Sequence, residues 1–258
     1  CAVLSLSLLS ACGGKESATI KVGASPTPHA QILEVAKEIL AKDNITLEIV
    51  PYDDYVLPNT NVEDGQLDAN YFQHITYMNN FNTNDGTHLV SVADLHYEPF
   101  GIYAGKSASL DALPDGAQIA IPDDPTNGGR ALLLLQEQGL IKLKDGVGLE
   151  PTVEDIAENP HDYKIKQLTA NLLTTTLQDV DVAVINGNYA IGAGLKASEA
   201  LAIESADGIA GTAYVNVLAV KEGRENDETI KALIKALTSD EVKAFIDETY
   251  GGGVVAVF

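Results

Sequence analysis

Arg130 follows a turn of Pro, Asp, Asn and Gly in the run QIAIPDDPTNGGRALLLLQEQG, residues 118–139. The pattern reads as a strand, a turn and then a helix with the arginine in its first turn. Gly128 and Gly129 would let the backbone approach a ligand, the first helical N–H groups would point at it, and a guanidinium fork suits a carboxylate bidentately. An isolated arginine in an acid-rich chain would instead read as a surface ion pair, and the paired glycines favour the small anion. Asn186 directly follows an apolar run, residues 180–185, in VDVAVINGNYA. Ligands of open parallel sheets gather beyond the carboxyl ends of the strands, so Arg130 and Asn186 are expected at one sheet edge on neighbouring strands. There the Asn186 amide oxygen could accept from an ammonium next to the carboxylate, although Gly187 also suits a turn or helix cap. Asn216 lies inside the apolar run YVNVLAV. An unpartnered buried amide costs ~1–3 kcal/mol, so Asn216 needs either backbone across a hinge or a ligand.

Residues 67–78, LDANYFQHITYM, place aromatic and apolar side chains at helix spacing behind a turn. His74 and Tyr77 then share a helix face, and with Phe72 and the downstream Tyr97 they either fill a core or line a pocket for an apolar or thioether side chain. Hydrolase, P-loop, zinc-protease and paired-cysteine signatures are absent, so no catalytic residue and no cofactor are expected. Of five histidines, His29, His74 and His96 fall in the first half of the chain and could meet a carboxylate at a metal, but their spacing does not point to one. An enzyme on the same scaffold would need a base near the anion site, for which Asp123 and Asp124 are the nominees.

The elements that must hold these residues alternate. Short apolar runs such as IKVGA and ITLEIV flank an amphipathic helix at 30–42, which is α/β wiring with mostly parallel sheets. The length of 258 residues suits two lobes. GIYAG at 101–105 and GTAYVNVLAV at 211–220 are the hinge candidates, giving one lobe of residues 19–105 plus 219–258 and another of 106–218. From Thr229 the spacing of Ile230, Leu233, Ile234 and Leu237 gives one apolar helix face, and Ser239 reads as the cap of a second helix. Sixteen Lys and Arg against 37 Asp and Glu leave a net charge of −21, which repels phosphate backbones and excludes nucleic acid as a partner.

Residues 1–11 read as part of an export signal, too short to span a membrane, and Leu9-Ser10-Ala11-Cys12 matches a bacterial lipobox. Cys12 is expected to carry the lipid and residues 12–18 to form the tether. The folded part would then be held at the extracytoplasmic face of the cell membrane by acyl chains.

Beyond the lipobox, the order and spacing of several stretches resemble the methionine-binding lipoproteins that serve ABC importers. These are Tyr55-Val56-Leu57-Pro58-Asn59, Gly65-Gln66-Leu67-Asp68-Ala69-Asn70, Phe72-Gln73-His74 and Asp124-Pro125-Thr126-Asn127-Gly128-Gly129-Arg130, followed by VDVAVINGNYA and YVNVLAV. The resemblance implies a two-lobed periplasmic-binding-protein fold that closes on methionine or a close relative. Arg130 would take the carboxylate, Asn186 and Asn216 would fix the polar groups, and Phe72, His74, Tyr77 and Tyr97 would surround the side chain. A monomer docking on a membrane permease with its ATPase is implied, and a metal-ion receptor of the same fold is the alternative. Two places depart from the family pattern. Tyr71 stands where a smaller or aliphatic residue is common, and Thr212-Ala213 precedes Tyr214 where a serine-proline pair is common. L-methionine, D-methionine, a methionine-containing dipeptide and another small apolar amino acid all fit this reading.

Overall fold

The computed structural model describes residues 18–206 and 210–258. Cys12 and the leader lie outside the described residues. The chain opens with β1 (Ala18–Ala24), α1 (Gln31–Ala41), β2 (Ile45–Pro51), α2 (Leu57–Glu63), β3 (Ala69–His74), α3 (Ile75–Asp85) and β4 (Leu89–Tyr97). It crosses over at Glu98 to β5 (Gly101–Ala104), β6 (Gln118–Pro122), α4 (Pro125–Glu137), β7 (Lys142–Leu143), β8 (Ile156–Glu158), β9 (Lys164–Leu168), β10 (Val182–Ile185), α5 (Gly187–Gly192) and β11 (Ala202–Ile203). It returns through α6 (Ala210–Ala213) to β12 (Val215–Lys221), α7 (Glu228–Leu237), α8 (Asp240–Tyr250) and β13 (Val255–Ala256).

Two main sheets result, one in each lobe, beside a two-stranded β7-β8 ribbon. The first has the order β13-β4-β12-β3-β1-β2 and the second β11-β5-β10-β6-β9. Both are mixed. Parallel pairing is confined to β1 with β2 and β3, and to β6 with β9 and β10. The parallel share is therefore smaller than the apolar runs suggest. Strands that enter a sheet at a lobe crossing, such as β5 and β12, pair antiparallel with their neighbours yet are as apolar as parallel ones, because both faces are covered.

The expected lobe boundaries also move. Gly101–Ala104, expected as a hinge at the end of the first lobe, pairs with β10 and β11 of the second sheet. Residues 215–218, expected in the second lobe, pair with β3 and β4 of the first. The chain thus leaves the first sheet after Tyr97 and rejoins it at Val215, and residues 69–74 form a strand where helix spacing was expected. Every residue of β3 is buried, so it shows no alternation to mark it as a strand.

A separate apolar core supports each sheet. Ile20, Val22, Leu33 and Leu47 pack with Ile230, Leu233, Leu237, Val242 and Ile246 of α7 and α8. Burying each such side chain is worth ~1.5–3 kcal/mol. Ser239 caps α8 through the Val242 N–H at 3.3 Å. In the second lobe Phe100, Ile102, Ile119 and Ile121 pack with Leu132 and Leu135 of α4, which fixes the helix that carries Arg130.

Candidate functional site between the lobes

Between the sheets lies a pocket lined by Tyr55, Phe72, His74, Tyr77, Glu98, Arg130, Asn186 and Asn216 with neighbouring residues. β6 and β10 are hydrogen-bonded neighbours, so the loops after them bring Arg130 and Asn186 to one sheet edge. Asn216 arrives from β12 of the opposite lobe.

Arg130 lies in the second turn of α4, not the first, because the helix begins at Pro125 with Asp124 as its cap. The Asp124 carboxylate accepts from the Asn127 N–H at 2.9 Å and from the Asn127 amide at 3.0 and 3.1 Å. The helix N-terminus is therefore satisfied by the protein's own carboxylate. Burial raises the Asp124 pKa, and the Asn127 bonds oppose the rise. The glycines also serve packing instead of ligand approach. A Cβ on Gly129 would sit 2.8 Å from Glu150 Cα and 2.9 Å from the Leu149 carbonyl oxygen.

The guanidinium is buried and paired. Its Nε donates to Glu204 Oε2 at 2.6 Å and Oε1 at 3.1 Å, and Nη2 donates to the Glu98 backbone carbonyl at 2.9 Å. Arg130 is 5% exposed and Glu204 6%. Burial alone would lower the Arg130 pKa, but Glu204 more than offsets this and raises it. The rings of Tyr214 and Phe100 lie 4.2 and 4.7 Å from its Cζ, within cation–π range. Tyr97, expected around the ligand's side chain, instead has its ring 5.9 Å from the same carbon and is absent from the residues lining the pocket. It backs the arginine.

Asn186 caps α5 by position, but its side chain makes no cap bond. Its Nδ2 donates to Asn127 Oδ1 at 2.8 Å, while its own Oδ1 is buried without a partner, which leaves an acceptor for a ligand. His74 caps α3, accepting from the Tyr77 N–H on Nδ1 at 3.0 Å, and its Nε2 meets Asn127 Oδ1 at 3.1 Å. Burial lowers its pKa to about 3, so it is a neutral bridge between the lobes. Other ties cross the cleft: Tyr55 donates to Asn188 Oδ1 at 2.6 Å, Tyr189 to the Asp53 carbonyl at 2.8 Å, and Asn80 to both Glu150 oxygens at 3.2 Å.

The apolar wall is an aromatic box. Tyr55 lies 5.8 Å from Phe72 and 5.7 Å from Tyr77, and Phe72 lies 6.2 Å from Tyr77, measured between centroids. Ring edges and faces at these separations suit a thioether or an aliphatic chain.

Sequence reasoning missed Glu98, which lines the pocket at the first lobe crossing. Burial raises its pKa, opposed by nearby His29 and Arg130 and by a hydrogen bond from the Asn188 backbone. The signal available was an acid in HYEPF, within the segment that changes sheets. Gly187 accommodates it, since a Cβ there would fall 2.8 Å from Glu98 Oε2.

Of the three histidines considered for a metal, His29 and His96 converge on Glu98 and His74 does not. Among the described residues these three groups have donor atoms within 4.8 Å of one another, which suits Zn²⁺ in ligand type. The acids nominated for catalysis are committed elsewhere: Asp124 to its helix, and Asp123 to the Thr169 hydroxyl at 3.2 Å.

The family model of the NlpA lipoproteins matches residues 20–258. The D-methionine-binding lipoprotein MetQ of Escherichia coli strain K12 is 42% identical, over 93% of this chain and 89% of its own. A nutrient binding protein from Burkholderia cenocepacia, solved bound to methionine, superposes with a TM-score of 0.88 at 42% identity, covering 93% of this chain and all of that one (100%). A putative lipoprotein from Ruminococcus gnavus reaches a TM-score of 0.91 at 53% identity, covering 93% and 99% of the two chains.

Proposed function

The chain belongs to the NlpA lipoprotein family, and we propose that it is a substrate-binding protein that captures methionine, or a close relative of it, for an ABC importer. The observation that carries this reading is the interlobe pocket, in which polar groups of opposite preference face each other beside an aromatic box. Arg130 offers the ligand's carboxylate the N–H groups left over from Glu204 and the Glu98 carbonyl. Asn186 Oδ1 and the Glu98 carboxylate accept from the ammonium, and Asn216 supports them from the first lobe. Phe72, Tyr77 and Tyr55 enclose the side chain, with His74 bridging the lobes beside them. Water is excluded on closure, which strengthens each charged contact.

The family likeness extends the reading. Residues 18–97 and 215–258 would move as one lobe and 101–203 as the other, closing about the two crossings. Cys12 would carry the lipid that holds the protein at the extracytoplasmic face of the membrane, and no helix among the described residues is long and apolar enough to cross it. The closed monomer would deliver its cargo to a permease whose ATPase supplies the energy, with no catalysis by this chain.

Calorimetric titration with a panel of amino acids tests the reading, alongside native mass spectrometry for a co-purified ligand. Saturable binding of methionine, with weaker binding of leucine and none of glutamate, is the expected result. Absence of methionine binding refutes it.

A further inference from the structure

Under the pocket floor, side chains from separate stretches of chain form one buried polar cluster. His29, Tyr71 and His96 are fully buried, and Glu98 and Asn216 nearly so. The Tyr71 hydroxyl meets Nδ1 of His96. His96 Nε2 lies 2.8 Å from Glu98 Oε1. His29 Nε2 lies 3.4 Å from that same oxygen and 3.0 Å from Asn216 Oδ1. The His29 ring stands edge-on to Tyr71 at 4.7 Å and tilted against His96 at 5.0 Å.

One hydrogen placement serves every one of these contacts. The Tyr71 O–H donates to His96 Nδ1, which forces the His96 proton onto Nε2, where it donates to Glu98. The His29 Nε2–H donates to Asn216 Oδ1, with Glu98 Oε1 as its second acceptor. In this wiring Glu98 accepts and never donates, as an ionised carboxylate does, and its donors work against the burial that raises its pKa. A carboxylate in a low-dielectric site is held better by several donors than by water it cannot reach. Burial lowers the pKa of His29 to about 4 and of His96 to about 3, so both stay neutral donors at ordinary pH. No histidine charge then competes with a cation in the pocket.

We propose that Tyr71, His96 and His29 are positioning residues that fix Glu98 as an ionised acceptor for a primary ammonium, and so make a free α-amine a condition of tight binding. The proposal rests on the amino-acid reading of the pocket. Tyr71 begins the relay.

The same donors suit Zn²⁺, but a metal would need both Nε2 lone pairs. The His29 proton would then have to move to Nδ1, which is buried without a partner. Orphaned buried N–H groups are rarer than orphaned acceptors.

The test compares L-methionine with its des-amino analogue, 4-(methylthio)butanoate, by calorimetry on the whole protein. The wild type is expected to prefer methionine by ~10- to 100-fold, the range of a charge-assisted hydrogen bond. Glu98→Gln should erase most of that preference. Tyr71→Phe, which keeps the ring and its packing, and His96→Gln should each weaken methionine ~5- to 10-fold and leave the des-amino acid within twofold. If Tyr71→Phe and His96→Gln weaken both ligands alike, the cluster is structural and the proposal falls while the methionine reading stands. Zinc retained at one equivalent through dialysis and competing with methionine would also overturn it. A wild type that binds neither ligand refutes the methionine reading itself. The wild-type and Glu98→Gln comparison stands even if His96→Gln does not fold.

Discussion

The two ends of the pocket carry opposite charges held by different means. At one end Arg130 cannot give up its proton, so its burial demands a counterion, and Glu204 supplies one from behind the pocket wall. At the other end Glu98 could go neutral, and what favours its charge is a set of donors, two imidazoles and a backbone N–H, with the field of the nearby Arg130. A permanent charge is compensated and a conditional one is supported. The difference predicts that loss of the counterion at the first end appears chiefly as lost stability, and damage to the second end as lost selectivity.

The largest expected effect comes from Glu204→Gln. Breaking one side of a buried ion pair costs ~3–5 kcal/mol, because the surviving charge is left without compensation. Urea denaturation of the ligand-free protein would measure it, and a loss below ~1 kcal/mol would mean that the neighbouring rings and carbonyl suffice to hold the guanidinium. Next, Arg130→Ala is expected to weaken methionine at least tenfold, given ~1.5–3 kcal/mol for a hydrogen bond to a charged group. Calorimetry showing unchanged affinity would transfer the carboxylate to other groups. Gly129→Ala separates packing from binding. The new methyl meets backbone at 2.8 Å, so stability should fall by ~1–3 kcal/mol while the folded protein binds as before. A variant that keeps its stability but loses affinity would restore the glycines to the ligand.

The smallest effects are graded ones in pH. His29, His74 and His96 take up protons near 6.5 when unfolded but only near 4, 3 and 3 when folded. The unfolded state therefore binds more protons below 6.5, and stability should decline as the pH falls from 6.5 toward 4. Melting curves across that interval would show it, and a flat profile would place these imidazoles in contact with water. Methionine affinity should weaken on the same acid side. Glu98 has its pKa raised above the ordinary 4.5, so it is protonated before an exposed carboxylate would be.

Much of the fold around this division was legible in the chain itself. The α/β wiring, the meeting of Arg130 and Asn186 at one sheet edge, and the C-terminal helices with the Ser239 cap follow from local patterns, whereas Asn216 joined them only through the family resemblance. What was not legible depended on distant partners. Glu204 lies 74 residues from Arg130, and no spacing rule links them. Tyr97 and Phe72 are equally aromatic, and only the arrangement of β3 and β4 sends one toward the guanidinium and the other into the box. Residues 69–74 lacked alternation because both faces of β3 are covered. Gly128 and Gly129 were misread for a related reason: the sequence shows that the backbone is approached closely, but not by what.

The polar ties that span the cleft, Tyr55 to Asn188, His74 to Asn127, Tyr189 to Asp53 and Asn80 to Glu150, involve no cargo atom. Prising the halves apart must surrender each of them to water, at roughly 0.5–1.5 kcal/mol apiece. Part of the grip on any solute is therefore spring tension in the jaws. Substitutions at Tyr189, Asn80 or Glu150, which do not line the pocket, can change how long the solute is kept without changing which solute is preferred.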